Sequence, residues 1–579
     1  MQTWLASFLL GPLKRQNLAT QTEALMQSRN LQAEIQSIGA ALVKAERTQD
    51  VDAQLQLYEK LTRLTPACTL AHAQLAHLLF EREDYERAVS HAEQALALPY
   101  DKAADQLIFQ HLHKHKPYVA QLAKAKALYK AQPNIWRFKL LYEALMLAQA
   151  YNEVEPLVLK ALEEPFSKVE QSHLLTLLAQ AYYQLARYHD CIGCYQAGLE
   201  LTPDNQTQHF NLGTALEQVG RYPEAVSQYQ KVLELEPNHG GIHNNLAIVM
   251  LRLGQFEDGW RQYEWRWDIA LREQNQHFNI PRWTGEPLEG KTLLVWAEQG
   301  IGDHIMFSTM LAELRQRGGN LCYEIYARLD SLFERTFPDV TFLRRESDGE
   351  IAHLGTRVFK QRWPNADYQI PMGSLAAIFR TTRESFGEGA AYLKPDPALI
   401  QVTRDRYKAL FPGKKLIGIS WRGGKAAHTE RQSRRVGVDD LKALSKLENV
   451  QLIDLQYDST EADLASLREA GISIYHDDSV DPTAIMEAQA AQLCTLDAVI
   501  SVDNSTVHLA GALGVPTYAL IQLNPNWRWG MNEGPSYWYN SVQIFRNREI
   551  LSWRDVIDRV IEKLAVDGVI PQSSAGIKA

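Results

Sequence analysis

Apolar positions in the first half of the chain recur with a helical period, and the whole pattern returns every 34 residues. Tyr188, Tyr222 and Phe256 stand at this spacing, and leucines and small residues keep the same interval. Such a repeat is typical of paired antiparallel helices that stack, since one pair alone cannot bury its apolar face. The pattern over residues 30–267 predicts about six to seven helix pairs in a right-handed solenoid whose concave face binds an extended partner.

The second half follows another pattern, in which short apolar runs alternate with helical segments. That alternation is typical of parallel sheets covered by helices on both faces. The runs predict two doubly wound, Rossmann-like domains facing each other across a cleft, and such sheets bind ligands at the carboxyl ends of their strands. The predicted boundaries are a helical segment at 1–30, an all-α solenoid at 31–270, a linker at 271–290, and α/β domains at 291–395 and 396–579.

Composition narrows the functional classes. With 45% hydrophobic and 22% charged residues the chain is an ordinary globular protein, and a net charge of −9 gives no reason to expect a nucleic-acid partner. The N-terminal apolar run is short and lacks a preceding basic stretch, so neither a signal peptide nor a membrane span is expected, and the cytoplasm is the expected compartment. Cys191 and Cys194 form a C-x-x-C on a core face of a repeat helix, which predicts packing rather than redox or metal chemistry.

Chemistry-bearing residues concentrate in three loops of the second half. The first is EQGIGDHI, which follows a predicted buried strand and contains Gly300, Gly302, Asp303 and His304. Glycines let the backbone turn tightly and approach a ligand, and the free N–H groups of the helix that starts near Asp303 favour an anion. The third glycine of a dinucleotide fingerprint is absent, so a different ligand is predicted.

The second loop, SWRGGKAAHTERQSRR, is strongly basic and also follows a predicted strand. Arg422, Lys425 and Arg431 supply cationic side chains, and Gly423 opens the backbone. A diphosphate needs about that much charge, and each charge-assisted hydrogen bond contributes roughly 1.5–3 kcal/mol. A phosphate site is preferred over a solvated basic loop, because the run stands at a ligand-binding strand end.

The third loop is SVDNSTVHLAGALGVP, where a predicted strand passes into a helix rich in small residues. Asn504, Ser505 and Thr506 can cap that helix while their hydroxyl and N–H groups face the cleft, which again favours an anion. His508 follows on the same helix. A ligand-facing histidine is preferred there, and a histidine of the core is the alternative.

Both halves resemble known families. Residues 210–237, FNLGTALEQVGRYPEAVSQYQKVLELEP, resemble the tetratricopeptide repeat. The three loops, together with NPNWRWG at 524–530, resemble glycosyltransferases of the GT-B fold, in particular bacterial tetratricopeptide-repeat glycosyltransferases related to the heptosyltransferases. Repeats followed by a transferase are also the order in protein O-linked N-acetylglucosamine transferases and in bacterial enzymes that glycosylate flagellin.

The resemblance implies sugar transfer from a nucleotide-sugar donor, with no separate cofactor. The first α/β domain would present the acceptor and the second would hold the donor. Asp303 would take the acceptor proton, with His304 as the rival base, while the glycines of their loop clear space for the acceptor. The donor-binding residues implied are Arg422, Gly423, Lys425, Arg431, Asn504, Ser505, Thr506 and His508.

The same resemblance sets the expected reaction and partners. The resemblance implies an inverting reaction. No D-x-D carboxylate pair stands at a comparable strand end, so we expect this reaction to be metal-independent, with arginines and helix N-termini stabilising charge. The expected acceptor is a protein on the concave face of the repeats, such as flagellin or another surface protein. The alternatives are a lipid-linked or polysaccharide acceptor, and a catalytically inactive scaffold with a regulatory ligand site. A homodimer formed through the repeats is a further alternative. The transferred sugar is left open between a hexosyl, a nonulosonyl and a heptosyl group.

Overall fold

The computed structural model describes residues 18–98, 101–114, 122–131, 133–267, 280–345, 365–423, 434–548 and 552–572. The chain divides into two compact units between Ala215 and Leu216. Within the described ranges no helix is long and apolar enough to cross a membrane.

In its described residues the first unit contains helices and no strand, and its last helix ends beyond the division. Its helices are α1 (Leu18–Arg47), α2 (Val51–Leu64), α3 (Thr69–Glu81), α4 (Tyr85–Ala97), α5 (Lys102–Lys114), α6 (Leu122–Ala131), α7 (Ile135–Leu147), α8 (Val154–Ala161), α9 (Lys168–Gln184), α10 (Tyr188–Leu201) and α11 (Gln206–Gln218).

Local sequence explains how these helices begin and pack. Asp50 caps α2 by accepting a hydrogen bond from the Ala53 N–H, and Ser167 forms a reciprocal capping box with Glu170 at the start of α9. Cys191 is fully buried on α10, where burial raises the pKa of its thiol to about 12. The packing role predicted for this cysteine is confirmed.

The second unit begins with the end of the repeat region. Trp260 is buried and donates its Nε1–H to the carbonyl oxygen of Arg380 at 2.8 Å, while Phe256 packs against Phe386 and Tyr537. The last two repeat helices, which contribute Leu251, Phe256 and Trp260, therefore share a hydrophobic core with the α/β elements. The predicted boundaries at 270, 290 and 395 stay predictions. The helices are α12 (Tyr222–Leu235), α13 (Gly240–Arg252) and α14 (Phe256–Tyr263).

Among the described residues the first sheet of this unit has four strands, all parallel, in the order β3-β2-β1-β4. Arg282, from the predicted linker, extends its edge by bridging to Gln369 of β4. The strands are β1 (Thr292–Trp296), β2 (Asn320–Tyr326), β3 (Thr341–Arg345) and β4 (Tyr368–Pro371), and the helices are α15 (Ile301–Phe307), α16 (Leu311–Arg315), α17 (Asp330–Thr336) and α18 (Ala376–Phe379).

The second sheet has seven strands in the part of the chain that the structure describes, in the order β10-β11-β9-β8-β5-β6-β7, and all are parallel except β10. Its strands are β5 (Lys415–Ser420), β6 (Val450–Asp454), β7 (Ile474–Tyr475), β8 (Ala498–Val502), β9 (Thr517–Ile521), β10 (Gly534–Pro535) and β11 (Val542–Arg546). The helices are α19 (Pro397–Leu410), α20 (Val438–Leu441), α21 (Glu461–Glu469), α22 (Glu487–Leu493), α23 (Ser505–Ala512) and α24 (Arg554–Val566).

Alternate strand residues enter different cores, as a doubly wound sheet requires. Leu416 and Val499 belong to the core shared with the first sheet, whereas Ile417 and Ile500 belong to a second core that includes residues of α24. The strand order reverses between β5 and β8, which marks the switch point where such sheets bind ligands. The predicted fold class, an all-α repeat region followed by two parallel α/β sheets of GT-B type, is confirmed.

Candidate active site

The loop after β1 is anchored by Glu298, whose side chain is fully buried. Arg266 donates Nε–H and Nη2–H to the two oxygens of this carboxylate at 2.8 and 2.9 Å, and the Gly373 N–H donates to it at 2.6 Å. Burial alone would lower the pKa of Arg266, but Glu298 and Glu264 raise it overall. A β-carbon at Gly373 would stand 2.3 Å from the Glu298 Oε1 atom, so glycine is required there. This network fixes the backbone that leads into the glycine loop.

Gln299 takes an unusual backbone conformation in this loop. Its φ of 57° lies in the left-handed region, which costs a non-glycine residue about 1–3 kcal/mol and is common at functional sites. The Tyr326 hydroxyl donates to the Gln299 carbonyl oxygen, and the Gln299 side chain donates to the Tyr263 hydroxyl. The strained turn is therefore held by hydrogen bonds to both its backbone and its side chain, and it directs the chain into α15.

Asp303 lies on the first turn of α15 and pairs with Arg528, a residue of the segment that follows β9. Arg528 donates Nε–H to Asp303 Oδ1 at 2.6 Å, and its Nη2–H reaches the same oxygen. The Nη1–H of Arg528 binds the side chain of Asn526, and Nη2 lies 3.3 Å from Gln299 Oε1. Both paired side chains are largely buried, with 15% of Asp303 and 12% of Arg528 exposed. This pair joins the carboxyl edges of the two sheets.

Gly302 permits the close approach of α15 and α23. A β-carbon at Gly302 would stand 3.0 Å from His508 Cδ2 and 3.6 Å from Ser505 Cα. The space beside Gly302 is thus filled by α23 instead of being open to an acceptor. Gly300 is less crowded, since a β-carbon there would have Asp303 Oδ2 as its nearest neighbour at 3.8 Å. For Gly300 the role of clearing space for an acceptor stays a prediction, whereas Gly302 has a packing role.

His304, the rival base, points away from Asp303 into the core. Its side chain is fully buried, and its ring meets those of Tyr323, Tyr326 and Phe333 edge-on at centroid distances of 5.5–5.7 Å. Successive helical residues point about 100° apart, so one neighbour can face the cleft while the other is buried. The structure therefore places His304 where an acceptor cannot reach it.

The basic loop begins at the end of β5, and its described ends pair with each other. The Gly423 N–H donates to the Arg434 carbonyl oxygen at 3.1 Å, and a β-carbon at Gly423 would stand 3.2 Å from both Arg434 Cβ and the Asp503 carbonyl oxygen. Gly423 therefore has a packing role next to β8. Lys425 and Arg431, two of the predicted phosphate ligands, lie outside the described residues.

The guanidinium of Arg422 is bound by carboxylates, so it is not free to bind a diphosphate as predicted. Its Nε–H donates to Asp458 Oδ1 at 3.0 Å, and its Nη1–H and Nη2–H donate to the two oxygens of Asp463 at 2.8 and 3.0 Å. The hydrogen bonds from Arg422 lower the pKa of Asp463 to about 2. The prediction is corrected because sequence shows the charge of this arginine but not the carboxylates that neutralise it.

Asn504 lies at the switch point of the second sheet, where its side chain links neighbouring segments by hydrogen bonds. Its Oδ1 accepts from the Thr506 N–H at 2.9 Å and so caps α23, while its amide donates to Ser420 Oγ at 2.8 Å and to the Arg422 carbonyl oxygen at 3.3 Å. Its amide thus connects the ends of β5 and β8. Ser505 is half-buried and Thr506 is buried on the first turn of the helix.

His508 is buried on α23 and is held by aromatic residues. Its Nδ1 lies 3.1 Å from the Tyr539 hydroxyl, and its ring stacks on Trp529 at a centroid distance of 5.2 Å. Burial lowers the pKa of His508 to about 4, so the ring is neutral near pH 7. His508 packs in the core and lines the contact with Gly302, as the alternative of a core histidine describes. Its predicted role in binding the donor stays a prediction.

The residue that sequence reasoning missed is Arg528. It stands in the quoted segment NPNWRWG, so an arginine among tryptophans was the available signal. Burial opposes its charge, but Asp303, Tyr263 and Asp503 raise its pKa overall. Asp503 is itself buried at the end of β8 and lies 4.0 Å from Arg434. Among the described residues no cluster of three or more histidine, cysteine or carboxylate side chains could hold a metal ion.

Comparison with curated proteins gives one partial relative. The chain is 32% identical over 312 residues to Protein FlbA from Caulobacter vibrioides, an alignment that covers 52% of this chain and 51% of that protein. The chain thus spans about half the length of the curated relative that it matches.

Solved structures give distant likenesses. A glycosyl transferase of family 9 from Veillonella parvula matches 50% of this chain and 94% of its own, at 12% identity and a TM-score of 0.33. YrrB, described as a tetratricopeptide-repeat protein with an unusual peptide-binding site, matches 37% of this chain and 91% of its own, at 17% identity and a TM-score of 0.24. At these TM-scores the assignment of the fold rests on the helices and sheets themselves.

Family models agree with the periodicity of the helical region. Tetratricopeptide-repeat models match residues 172–205, 207–239 and 228–261, in the region from α9 to α14 where the 34-residue interval is clearest. The helical region of this chain therefore contains tetratricopeptide repeats.

Proposed function

We propose that this protein is a glycosyltransferase that moves a sugar from a nucleotide-sugar donor to a protein held by its repeats. The observation that carries the proposal is the pairing of Asp303 with Arg528. The carboxylate follows β1 of one parallel sheet, and the cation follows β9 of the other, so acidic and basic groups meet where the carboxyl edges of both sheets come together. Ligands of such sheets bind at these edges, and an acceptor and a donor bound there would be adjacent.

The arrangement fits a single displacement. Asp303 would remove the proton of an acceptor hydroxyl as its oxygen attacks the anomeric carbon of the sugar. The bond between that carbon and the phosphate oxygen would break, and the electron pair would leave with the nucleotide, which inverts the anomeric configuration. A positioned base contributes about 10²–10⁴-fold to such a step. We assign this role to Asp303 because His304 is enclosed by aromatic rings.

The leaving nucleotide needs positive charge, and the second sheet supplies two sources of it. Arg528 is one, and the N-terminus of α23 at the switch point is the other, since free helical N–H groups favour an anion. Lys425 and Arg431 remain predicted ligands. We propose that these groups stabilise the charge without a metal ion, so that transfer continues in a chelator.

The repeats support a protein acceptor, because solenoids commonly bind extended partners along their surface. Flagellin and other surface proteins are the acceptors to test first, as the resemblance implies. A lipid-linked or polysaccharide acceptor is the alternative. The donor sugar is to be found by experiment.

Release of nucleotide tests the proposal. The full chain is incubated with UDP-, GDP-, ADP- and CMP-sugars and a cell extract that supplies acceptors, and free nucleotide is measured. Asp303→Asn should slow release by about 10²–10⁴-fold. Asp339→Asn is the matched control, since Asp339 is an exposed carboxylate paired with Arg315 in the same half of the unit. No release from any donor by the unchanged protein would refute the proposal.

One observation favours a second candidate, a scaffold without catalytic activity. Asp303 Oδ1 already accepts two hydrogen bonds from Arg528, so an acceptor hydroxyl would have to displace the guanidinium to reach this oxygen. If nucleotides bind but Asp303→Asn and the unchanged protein release nucleotide at the same slow rate, the scaffold is the better account.

A further inference from the structure

We propose that Arg528 exchanges between two partners, Asp303 and a phosphate of the donor, so that donor binding releases the base for the acceptor. The inference rests on the proposed function and deepens it, since it requires the donor to bind before the acceptor. It assigns Arg528 as a donor-binding residue that also controls Asp303.

The geometry of the pair is the first reason. Both the Nε–H and the Nη2–H of Arg528 converge on one oxygen, Asp303 Oδ1. A guanidinium forms its strongest pairs as a fork that reaches two separate oxygens, and a phosphate presents two oxygens at this spacing. In the pair with Asp303 the two N–H groups reach one oxygen instead of two, so a phosphate matches the geometry of the guanidinium better.

The position of Arg528 is the second reason. Asp503, which directly precedes the cap of α23, lies close enough to raise the pKa of Arg528. The next residue, Trp529, stacks on His508 of the same helix at 5.2 Å. Arg528 therefore lies beside the first turns of α23, where free N–H groups attract an anion.

The backbone of the segment is fixed, so exchange requires only rotation of the side chain. The Tyr222 hydroxyl donates to Asn524 Oδ1 at 3.2 Å, and Arg252 donates Nε–H to the Pro525 carbonyl oxygen at 2.9 Å. Both contacts come from repeat helices of the same unit, α12 and α13. A segment anchored in this way holds Arg528 within reach of Asp303 and of α23 together.

Competition for one cation has a measurable consequence. If Asp303 and the donor phosphate compete for Arg528, removal of the Asp303 charge must strengthen nucleotide binding, because Arg528 no longer has to leave a partner. Couplings between two sites commonly amount to about 5- to 150-fold in affinity. A merely structural ion pair predicts the opposite, since its loss would loosen the cleft and weaken binding.

Isothermal titration of the full chain with UDP, GDP, ADP and CMP tests the inference. For the nucleotide that binds the unchanged protein, Asp303→Asn should bind at least about fivefold tighter. Arg528→Lys should bind about tenfold weaker, because the fork is lost. The double variant should bind no tighter than Arg528→Lys. Asp339→Asn is the control and should leave the affinity unchanged.

The outcomes separate the inference from the proposed function. Unchanged or weaker binding by a folded Asp303→Asn overturns the exchange and leaves the transferase proposal standing. If that variant does not fold, Asp303→Ser takes its place with the same expected tightening. If none of the four nucleotides binds the unchanged protein, the proposed function and this inference both fall.

Discussion

His508 gives the second unit a dependence on pH that can be worked out from its burial. Burial lowers its pKa from the ordinary value of 6.5 to about 4. The nearby charges act in both directions, since Asp503 and Asp303 raise the pKa and Arg528 lowers it. The uncharged Tyr539 hydroxyl and the Trp529 ring complete its surroundings. The folded protein thus binds a proton at this site less readily than the unfolded chain does.

The sign and size of the effect follow from linkage. Because the unfolded chain binds more protons between pH 6.5 and about 4, the stability due to His508 is fully present above pH 6.5 and is lost as the pH falls. Between pH 7 and pH 5 this one group should cost about 2 kcal/mol of unfolding free energy.

Urea denaturation of the unchanged protein and of His508→Phe, each at pH 7 and pH 5, measures this contribution. Phenylalanine keeps the stack on Trp529. The variant lacks the hydrogen bond between His508 and the Tyr539 hydroxyl at both pH values, so this loss cancels when its stabilities at pH 7 and pH 5 are compared. Other histidines with lowered pKa values, such as His173, are common to both proteins and cancel too. The reasoning is wrong if both proteins lose the same stability to within about 0.5 kcal/mol.

Further predictions follow from buried contacts of the same unit. Arg266→Met leaves the Glu298 carboxylate buried without its cation and should lower the unfolding free energy by about 3–5 kcal/mol in chemical denaturation. Arg422→Gln should lower stability by about 1–3 kcal/mol, while titration should find nucleotide affinity close to that of the unchanged protein, because this arginine is already committed to carboxylates. Gly511→Ala would place a β-carbon 2.5 Å from Tyr539 Cγ and should lower the melting temperature, at a cost of about 1–3 kcal/mol.

Sequence predicts the architecture of this chain well, because the architecture depends on periodic features. A 34-residue interval fixes the helices from Tyr188 onward, and apolar runs such as TLLVW fix the strands. The end of the repeat region was less predictable. Trp260 and Tyr263 lie within residues 30–267, the region predicted as repeats, yet they are buried in the core shared with the α/β elements, which only the tertiary packing reveals.

The candidate site was only partly predictable, because its contacts join distant parts of the chain. Asp303 and Arg528 are 225 residues apart, and no local pattern pairs them. The sequence predicts a phosphate ligand at Arg422, because its partners Asp458 and Asp463 belong to another strand end and helix and no local pattern reveals them. The sequence thus shows where the loops lie, whereas the fold determines which residue each charged side chain pairs with.

The central claim is that this chain transfers sugar to protein with Asp303 as base. Its most direct test is to incubate the full chain with donors carrying a radiolabelled sugar and cell extract, and to count label in the protein precipitate and in the organic extract. The account predicts label in protein with the unchanged chain and a loss of about 10²–10⁴-fold in initial rate with Asp303→Asn. Label confined to the organic extract, or equal rates for both proteins, would contradict it.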